Sequence, residues 1–293
     1  MTTIQKWTIF IWMACALSAS TNVFAQKTVA DSLVINGHMR HFKLFLPDNL
    51  PSGAPLVFAL HGYGSSGPVE TWMNGAALNH GFAVCVPVGL KDSKGKRSWN
   101  VGYPSQEGWE LNDVETMVQM ARYVQKKYHL SKKNTFLTGM SNGGEMCYLL
   151  SYKKQNVFRA LASVAGLTLT WMYDEREKTR PIPFMEIHGT EDRTSEWTGD
   201  LENKYGWGKY MSVPDAVNHI VEKNKCTYAG NDTVKSMSYE KDGHLIVKHY
   251  YTNSKTNNDV WLYEVIGAGH TTFTRDMNTG EEIWKFFSKY IHK

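Results

Sequence analysis

The sequence has few cysteines and prolines, and its charges are nearly balanced. Only four cysteines and nine prolines occur among 293 residues. A disulfide framework of the kind that stabilises small secreted domains is therefore excluded as the basis of the fold. Lysine and arginine number 32 against 28 aspartates and glutamates, which gives a net charge of +4. Because no block of basic residues occurs, we expect no nucleic-acid partner.

Apart from one stretch near the first residues, no apolar run approaches the length of a membrane span. Lys6 is the only charge before a mostly apolar stretch from Trp7 to about Leu17. Small residues of the kind that precede a signal-peptide cleavage site follow, ending at Ala25. This pattern predicts a secretory signal over residues 1–25, cleaved after about Ala25. The stretch is shorter than the ~20 residues of a membrane span. A lipid anchor on Cys15 is the alternative, although the residues before it form a poor lipobox. We expect no membrane association after cleavage.

Cleavage would leave three cysteines, which permit one disulfide at most. Cys85 and Cys147 lie in apolar patterns and are predicted core residues, whereas Cys226 is the most exposed candidate.

Metal-ligand spacings are also missing, because the histidines are scattered and no H-x-x-x-H or C-x-x-C pair occurs. We therefore predict no metal site and no cofactor.

Strand-like and helix-like segments alternate along the rest of the chain. The segments "PLVFALHG", "GFAVCVPVG", "NTFLTG", "FRALASVAG", "PFMEIHG" and "DVWLYEVIGAG" are apolar runs typical of strands buried on both faces. Amphipathic helices are predicted over 110–128, from Ser212 to about Cys226, and around Ile283–Tyr290. An early antiparallel strand at "RHFKLFLP" and a late hairpin around Asp242-Gly243 complete the pattern. The alternation predicts one α/β domain with a mostly parallel sheet and helices on both faces.

The segment "FLTGMSNGGEMCYLL" places Ser141 between a strand and a helix, at the spacing G-x-S-x-G. A serine hydroxyl must be exposed and activated to act as a nucleophile. A strand-to-helix turn tight enough to project it needs small neighbours, and Gly139 and Gly143 supply them. We predict Ser141 as the nucleophile of an acyl-transfer enzyme.

Two backbone N–H groups should stabilise the oxyanion of such a reaction. One belongs to Asn142, the residue after the nucleophile, and the other to a loop after an earlier strand. "LHGYGSSG" follows the strand "PLVFA", and Tyr63 is the predicted second donor.

The base should be a histidine after the nucleophile, with an acid between the two in sequence. His270 ends "VIGAGH" after the last strand, whereas His61 and His188 lie in HG turns and are predicted to be structural. For the acid, "IHGTED" offers Asp192, with Glu191 as the fallback; Asp174 and Asp200 do not follow a strand directly. In this scheme Asp192 orients the imidazole of His270, which takes the proton of Ser141.

The motifs "LHGYGSSG", "GMSNGG", "IHGTED" and "GAGH" together resemble the secreted α/β-hydrolase esterases grouped with poly(3-hydroxybutyrate) depolymerases, feruloyl esterases and acetyl-xylan esterases of the carbohydrate esterase 1 type. The resemblance extends from about His41 to His270. It implies an α/β-hydrolase domain over residues 26–293 and the triad Ser141, Asp192 and His270. It also implies an aromatic in the cleft at Trp99 and a helix-capping role for Asp113. Ser98 and Thr271–Phe273 depart from the family pattern, which affects the substrate and leaves the triad intact.

Aromatic residues make up 13% of the chain, and Trp197 and Trp207 follow Asp192 on a long loop. Flat rings there could stack on a cinnamoyl group or a sugar. We therefore expect an extracellular or periplasmic serine esterase that removes acyl groups from plant polysaccharide, feruloyl ahead of acetyl. The alternatives are a short-chain hydroxyalkanoate esterase or depolymerase, a serine peptidase, and a non-catalytic carbohydrate-binding protein on the same fold.

Overall fold

A computed structural model describes residues 26–65, 67 and 70–292, and the predicted signal segment lies outside these residues. Ten strands form one sheet in the order β1-β2-β4-β3-β7-β8-β9-β12-β11-β10, and β5 and β6 pair separately. The strands are β1 (Gln26–Ile35), β2 (His38–Pro47), β3 (Leu56–Leu60), β4 (Ala83–Pro87), β5 (Leu90–Lys91), β6 (Arg97–Ser98), β7 (Thr135–Met140), β8 (Leu161–Val164), β9 (Phe184–Gly189), β10 (Thr227–Lys235), β11 (Leu245–Thr252) and β12 (Val260–Ile266).

Six of these strands, from β4 to β12 in the spatial order, run parallel, and the two outermost strands on each side are antiparallel. The parallel strands are apolar on both faces. In β3, for example, Leu56, Phe58 and Leu60 join one buried cluster and Val57 and Ala59 join the other. This two-sided burial is why the sequence shows continuous apolar runs instead of alternation.

Helices cover both faces of the sheet, as expected for an α/β-hydrolase. One buried cluster includes side chains of α2, α3, α4 and α5, and the other includes α1 and α7. The helices are α1 (Asn74–His80), α2 (Asp113–Lys127), α3 (Asn142–Tyr152), α4 (Thr170–Asp174), α5 (Val213–Asn224), α6 (Tyr239–Asp242) and α7 (Thr279–Ser288), with a 3₁₀ turn at Pro104–Gln106. The predicted mostly parallel single-domain α/β fold is confirmed.

Two local predictions need correction. The cap of α2 is Asn112, whose side chain accepts a hydrogen bond from the N–H of Glu115. Asp113 instead pairs with buried Arg40 at 2.7 Å and accepts from the N–H of Asn100 at 2.7 Å. The late antiparallel pair exists, but a short helix, α6, separates β10 from β11 where a tight turn was predicted.

Within the described residues, no helix is both long enough and apolar enough to cross a membrane. All three cysteines of this part of the chain are free, with Cys85 and Cys147 buried as predicted and Cys226 partly exposed.

Candidate active site

Ser141 occupies a strained turn between β7 and α3. Its backbone has φ 55° and ψ −121°, a region that non-glycine residues rarely adopt. The glycines on either side are required by close packing. A Cβ on Gly139 would lie 2.3 Å from the carbonyl oxygen of Gly143, and one on Gly143 would lie 2.6 Å from that of Leu60. The turn therefore presents a partly exposed serine at the carboxyl edge of the sheet.

The loop after β3 approaches this serine closely. A Cβ on Gly62 would lie 3.3 Å from the Cβ of Ser141. Within the part of the chain that the structure describes, neither the N–H of Tyr63 nor that of Asn142 has a hydrogen-bond acceptor. Two backbone donors are thus available near the serine, at the positions predicted for the oxyanion hole.

The side chain of Tyr63 is engaged elsewhere. Its hydroxyl donates to Asp92 at 2.6 Å, and burial, with that carboxylate, raises the pKa of Tyr63 to about 12. Its ring lies edge-on to those of Tyr103 and Trp207, at 6.1 and 5.4 Å between centroids. Only the main chain of Tyr63 is therefore free to contact a substrate oxygen.

His270 and Asp192 meet across the ends of β12 and β9. The Nδ1 atom of His270 lies 2.6 Å from Oδ2 of Asp192. The other carboxylate oxygen accepts from the N–H groups of Thr194 and Ser195, at 2.7 and 2.8 Å. Burial alone would raise the pKa of Asp192, but the hydrogen bond and charge of His270, together with His188 and Ser195, hold it below its ordinary value. Asp192 is thus an ionised acceptor that orients the histidine.

The other acid candidates do not contact His270. Glu191 is exposed, and its backbone N–H bonds to the carbonyl of Ala268. Asp200 accepts from the N–H groups of Glu202 and Tyr205, and Asp174 is exposed at the end of α4.

Ser141 and His270 line the same cavity, without a direct hydrogen bond between their side chains in the described structure. The cavity measures about 460 Å³ and is bounded by Gly62 and Tyr63 on the loop side. Trp72, Val86 and Met140 form an apolar part of its wall. Trp72 was not predicted here; its only sequence signal is its position shortly after the glycine-rich loop.

The three tryptophans predicted to bind substrate have different surroundings. Trp99 is fully buried, with its indole N–H donating to the carbonyl of His61 at 2.9 Å. Trp99 does not line the cavity that holds Ser141 and His270, so its substrate role stays a prediction. Trp197 packs edge-on against His188, and Trp207 packs against Tyr63. Neither lines the cavity that holds Ser141 and His270, so their substrate role stays a prediction.

Trp99 instead helps to hold Asn142. The Asn142 side chain accepts from the N–H of Trp99 at 2.7 Å and donates to its carbonyl at 3.1 Å. It also donates to the hydroxyl of Tyr103 at 3.2 Å. Glu145, one turn later on α3, is buried beside Tyr103 and Asn142. Sequence reasoning missed this cluster, because its members are distant in sequence.

Comparisons with known proteins show which proteins this chain resembles. Residues 71–213 match the model of the prolyl oligopeptidase family. The chain is 23% identical over 269 residues to a bifunctional acetylxylan esterase/xylanase of Neocallimastix patriciarum, covering 90% of this chain and 35% of that protein. It is 23% identical over 291 residues to poly(3-hydroxyalkanoate) depolymerase C of Paucimonas lemoignei, covering 92% and 67%. It is 24% identical over 200 residues to feruloyl esterase B of Neurospora crassa, covering 66% and 67%.

Solved structures show the same fold. The acetyl xylan esterase of Aspergillus awamori superposes with a TM-score of 0.60 at 16% identity, over 90% of this chain and 99% of that one. A ferulic acid esterase of carbohydrate esterase family 1 from Anaeromyces mucronatus gives 0.56 at 14% identity, over 90% and 89%. The chain spans only about a third of the length of the Neocallimastix protein. Together these findings confirm the predicted resemblance to carbohydrate esterase 1-type serine esterases and the predicted α/β-hydrolase fold.

Proposed function

We propose that this protein is a secreted serine esterase that releases acyl groups from plant polysaccharide, with feruloyl preferred to acetyl. The observation that carries the proposal is the Asp192–His270 contact of 2.6 Å beside a cavity that also contains the strained Ser141. Such a constellation is recognised by its geometry and by the role of each group.

In the proposed mechanism, Ser141 attacks the ester carbonyl and its proton passes to Nε2 of His270. Asp192 keeps the remaining imidazole proton on Nδ1 and stabilises the imidazolium. The N–H groups of Tyr63 and Asn142 would bind the oxyanion, and His270 then protonates the leaving alcohol. Water hydrolyses the acyl-enzyme through the same base. Because His270 must be neutral to accept the proton, we expect activity to fall at acid pH.

The feruloyl preference is supported by the wall of the cavity. A volume of about 460 Å³ lies within the ~300–1,000 Å³ of ligand sites and exceeds what an acetyl group would fill. Trp72, Val86 and Met140 present apolar surface suited to a planar cinnamoyl ring. The named relatives include both acetylxylan and feruloyl esterases.

The second candidate is an esterase or depolymerase of short hydroxyalkanoate chains. The similarity to the Paucimonas depolymerase, which extends over 92% of this chain, favours it. A branched aliphatic acyl chain would also fit an apolar wall.

The decisive experiment compares the wild type with Ser141→Ala on methyl ferulate, p-nitrophenyl acetate, a 3-hydroxybutyrate ester and a peptide p-nitroanilide. Loss of the nucleophile should lower kcat by at least ~10³-fold while the folded state persists. Ser288→Ala, an exposed helix position, is the matched control. A Ser141→Ala protein that keeps most of its turnover contradicts the triad. Preference for the 3-hydroxybutyrate ester would indicate a hydroxyalkanoate esterase, and preference for the anilide would indicate a peptidase.

Two tryptophan variants test the acyl site. If Trp72 contacts the aromatic ring, Trp72→Ala should lower kcat/KM for methyl ferulate by about 10-fold and leave p-nitrophenyl acetate nearly unchanged. Trp207→Ala is the matched comparison, since Trp207 lies against Tyr63 outside the cavity. If only Trp207→Ala lowers kcat/KM for methyl ferulate selectively, the acyl group binds at Trp207, as the sequence predicted.

Secretion is part of the same proposal. Residues 1–25 carry the signal-like pattern, so the protein recovered outside the cytoplasm should begin near residue 26. Amino-terminal sequencing of that fraction tests cleavage, and an intact Met1 there would contradict it.

A further inference from the structure

A second histidine, His188, lies directly behind the proposed triad acid. It is fully buried on β9, two residues after buried Glu186, so both side chains project from the same face of the sheet. The Nδ1 atom of His188 lies 2.9 Å from Oε1 of Glu186. Its Nε2 atom lies 2.7 Å from the carbonyl oxygen of Ser195 and 3.6 Å from Oδ2 of Asp192. The same Asp192 oxygen also contacts His270.

The acceptors around His188 determine its protons. A carbonyl oxygen can only accept, so Nε2 must carry a hydrogen toward Ser195. On the opposite side, one proton is shared between Nδ1 and the carboxyl of Glu186. The proton on Nδ1 gives an imidazolium paired with a carboxylate, and the proton on Glu186 gives two neutral groups. The nearby carboxylate of Asp192 favours the first form, because it attracts a positive ring.

We propose that His188 is a charged positioning residue, held by Glu186, that fixes and electrostatically supports the acid Asp192. The contacts give it two routes. Through the Ser195 carbonyl it holds the loop whose N–H groups bind Oδ1 of Asp192. Its positive charge also acts directly on Asp192, because Nε2 of His188 lies 3.6 Å from Oδ2, the same oxygen that His270 contacts. The catalytic part of this inference rests on the triad of the proposed function.

The surrounding groups agree with this assignment. Burial alone lowers the pKa of His188, but the hydrogen bond and charge of Glu186, followed by Asp192 and the Ser195 carbonyl, hold that pKa above its ordinary value. From the loop after β9, Trp197 presents its ring edge-on at 6.1 Å. From α3, Cys147 and Tyr148 face Glu186, and burial together with that carboxylate raises the pKa of both. They therefore remain neutral at physiological pH.

Charges then alternate through the buried group Glu186, His188, Asp192 and His270. In the resting enzyme, two carboxylates face one imidazolium, which leaves one negative charge. When His270 takes the proton of Ser141, two carboxylates face two imidazoliums, and the group becomes neutral. The fixed charge of His188 offsets that of Glu186, so that Asp192 supplies the single charge that His270 needs. Preorganised charges of this kind require no rearrangement during the reaction.

The protonation of His188 can be observed without any substrate. In ¹⁵N-histidine-labelled wild-type protein at about pH 7.5, one unit above the ordinary histidine value, both ring nitrogens of His188 should carry protons. The His188→Gln spectrum assigns the signal. A His188 ring with a single proton under these conditions contradicts the proposal, whether or not the protein hydrolyses esters.

Kinetics separate positioning from a purely structural role. Glu186→Gln keeps a hydrogen-bond partner for Nδ1 and removes the counter-charge, so it should lower kcat on the order of 10²-fold with KM little changed. It should also move the acid limb of the pH profile to higher pH, because a neutral His188 no longer opposes the charge of His270. His249→Gln, whose partner Glu264 lies 3.2 Å away on the sheet, is the matched control. An unshifted pH profile in a folded Glu186→Gln protein overturns the proposal, whereas activity surviving in Ser141→Ala would instead overturn the triad.

Discussion

Two buried clusters of polar residues flank Ser141, one around Asp192 and the other around Glu145. The carboxyl of Asp192 is ionised and paired with histidines, whereas burial keeps the carboxyl of Glu145 protonated. On the acid side, Asp192 lies between His270 at 2.6 Å and His188 at 3.6 Å. On the helix side, the amide of Asn142 and the phenol of Tyr103 lie beside Glu145. Burial raises the pKa of Glu145 to about 8, and these two hydrogen-bonding groups lower it only in part. Glu145 is therefore mainly protonated at neutral pH.

The difference follows from what each side does in the proposed reaction. The charge of His270 changes when it takes a proton, so fixed charges beside it are useful. The N–H of Asn142 only has to stay in place, and a neutral network achieves that without the desolvation cost of a buried charge. Charge thus lies where the proposed reaction changes charge, and neutral hydrogen bonds lie where it requires rigidity.

Removing the charge on the acid side should have the largest effect. Asp192→Asn keeps the shape of the side chain but no longer imposes the productive tautomer on His270, so kcat should fall by roughly 10³–10⁴-fold. Steady-state kinetics on the preferred ester measures this. Asp200→Asn, a buried carboxyl on the same loop whose partners are backbone N–H groups, is the matched control. Equal losses in both variants would mean that the loop matters and the charge does not.

Breaking the neutral network should affect stability as well as rate. Asn142→Ala removes three hydrogen bonds to Trp99 and Tyr103. Leaving these buried groups unpaired should lower the free energy of unfolding by about 2–4 kcal/mol, measured by urea denaturation. Asn224→Ala is a close control, because Asn224 also makes three hydrogen bonds, two buried ones to Ile182 and a partly buried one to Asn258.

Both variants should lose similar stability, but only Asn142→Ala should also lower kcat. Unchanged turnover in a folded Asn142→Ala protein would indicate that the oxyanion donor needs no support from this network.

The smallest effect for any single step in pH concerns the proton on Glu145. Its folded pKa of about 8 lies above the ordinary value of 4.5, so its contribution to stability is complete below pH 4.5. That contribution is lost as pH rises toward 8, because the unfolded carboxyl ionises first. The slope should approach about 1 kcal/mol per pH unit. Glu145→Gln should flatten this decline in thermal unfolding scans. Glu115→Gln, on the partly exposed face of α2, should leave it unchanged. A steep decline retained in Glu145→Gln would show that the carboxyl is already ionised.

Most of the fold could be predicted because its signals are local. The run "NTFLTG" before Ser141 and the helix after it are strong neighbouring patterns, and both form as expected. The connection between β10 and β11 was misread because Asp242-Gly243 fits a tight turn equally well. In the structure Gly243 instead ends the short helix α6 in a left-handed conformation.

The contact between Asp192 and His270 was predictable because each of the two residues follows a strand. Asp192 and His270 come directly after β9 and β12, so their adjacency follows from the parallel sheet. The neighbours of Trp99 and Glu145 depend on contacts between segments about 40 residues apart, which no local pattern records. Trp99 was assigned to the cleft by resemblance alone, and its burial against His61 was not predictable from a local pattern.

The backbone of Ser141 also has an evolutionary consequence. A non-glycine residue at φ 55° and ψ −121° costs on the order of 1–3 kcal/mol, and the surrounding packing must bear that cost. Replacement by glycine would relieve the strain, so Ser141→Gly should melt at a higher temperature than the wild type. Selection for thermal robustness alone would therefore favour losing this serine. A serine in such a turn gives up some stability in exchange for an exposed hydroxyl.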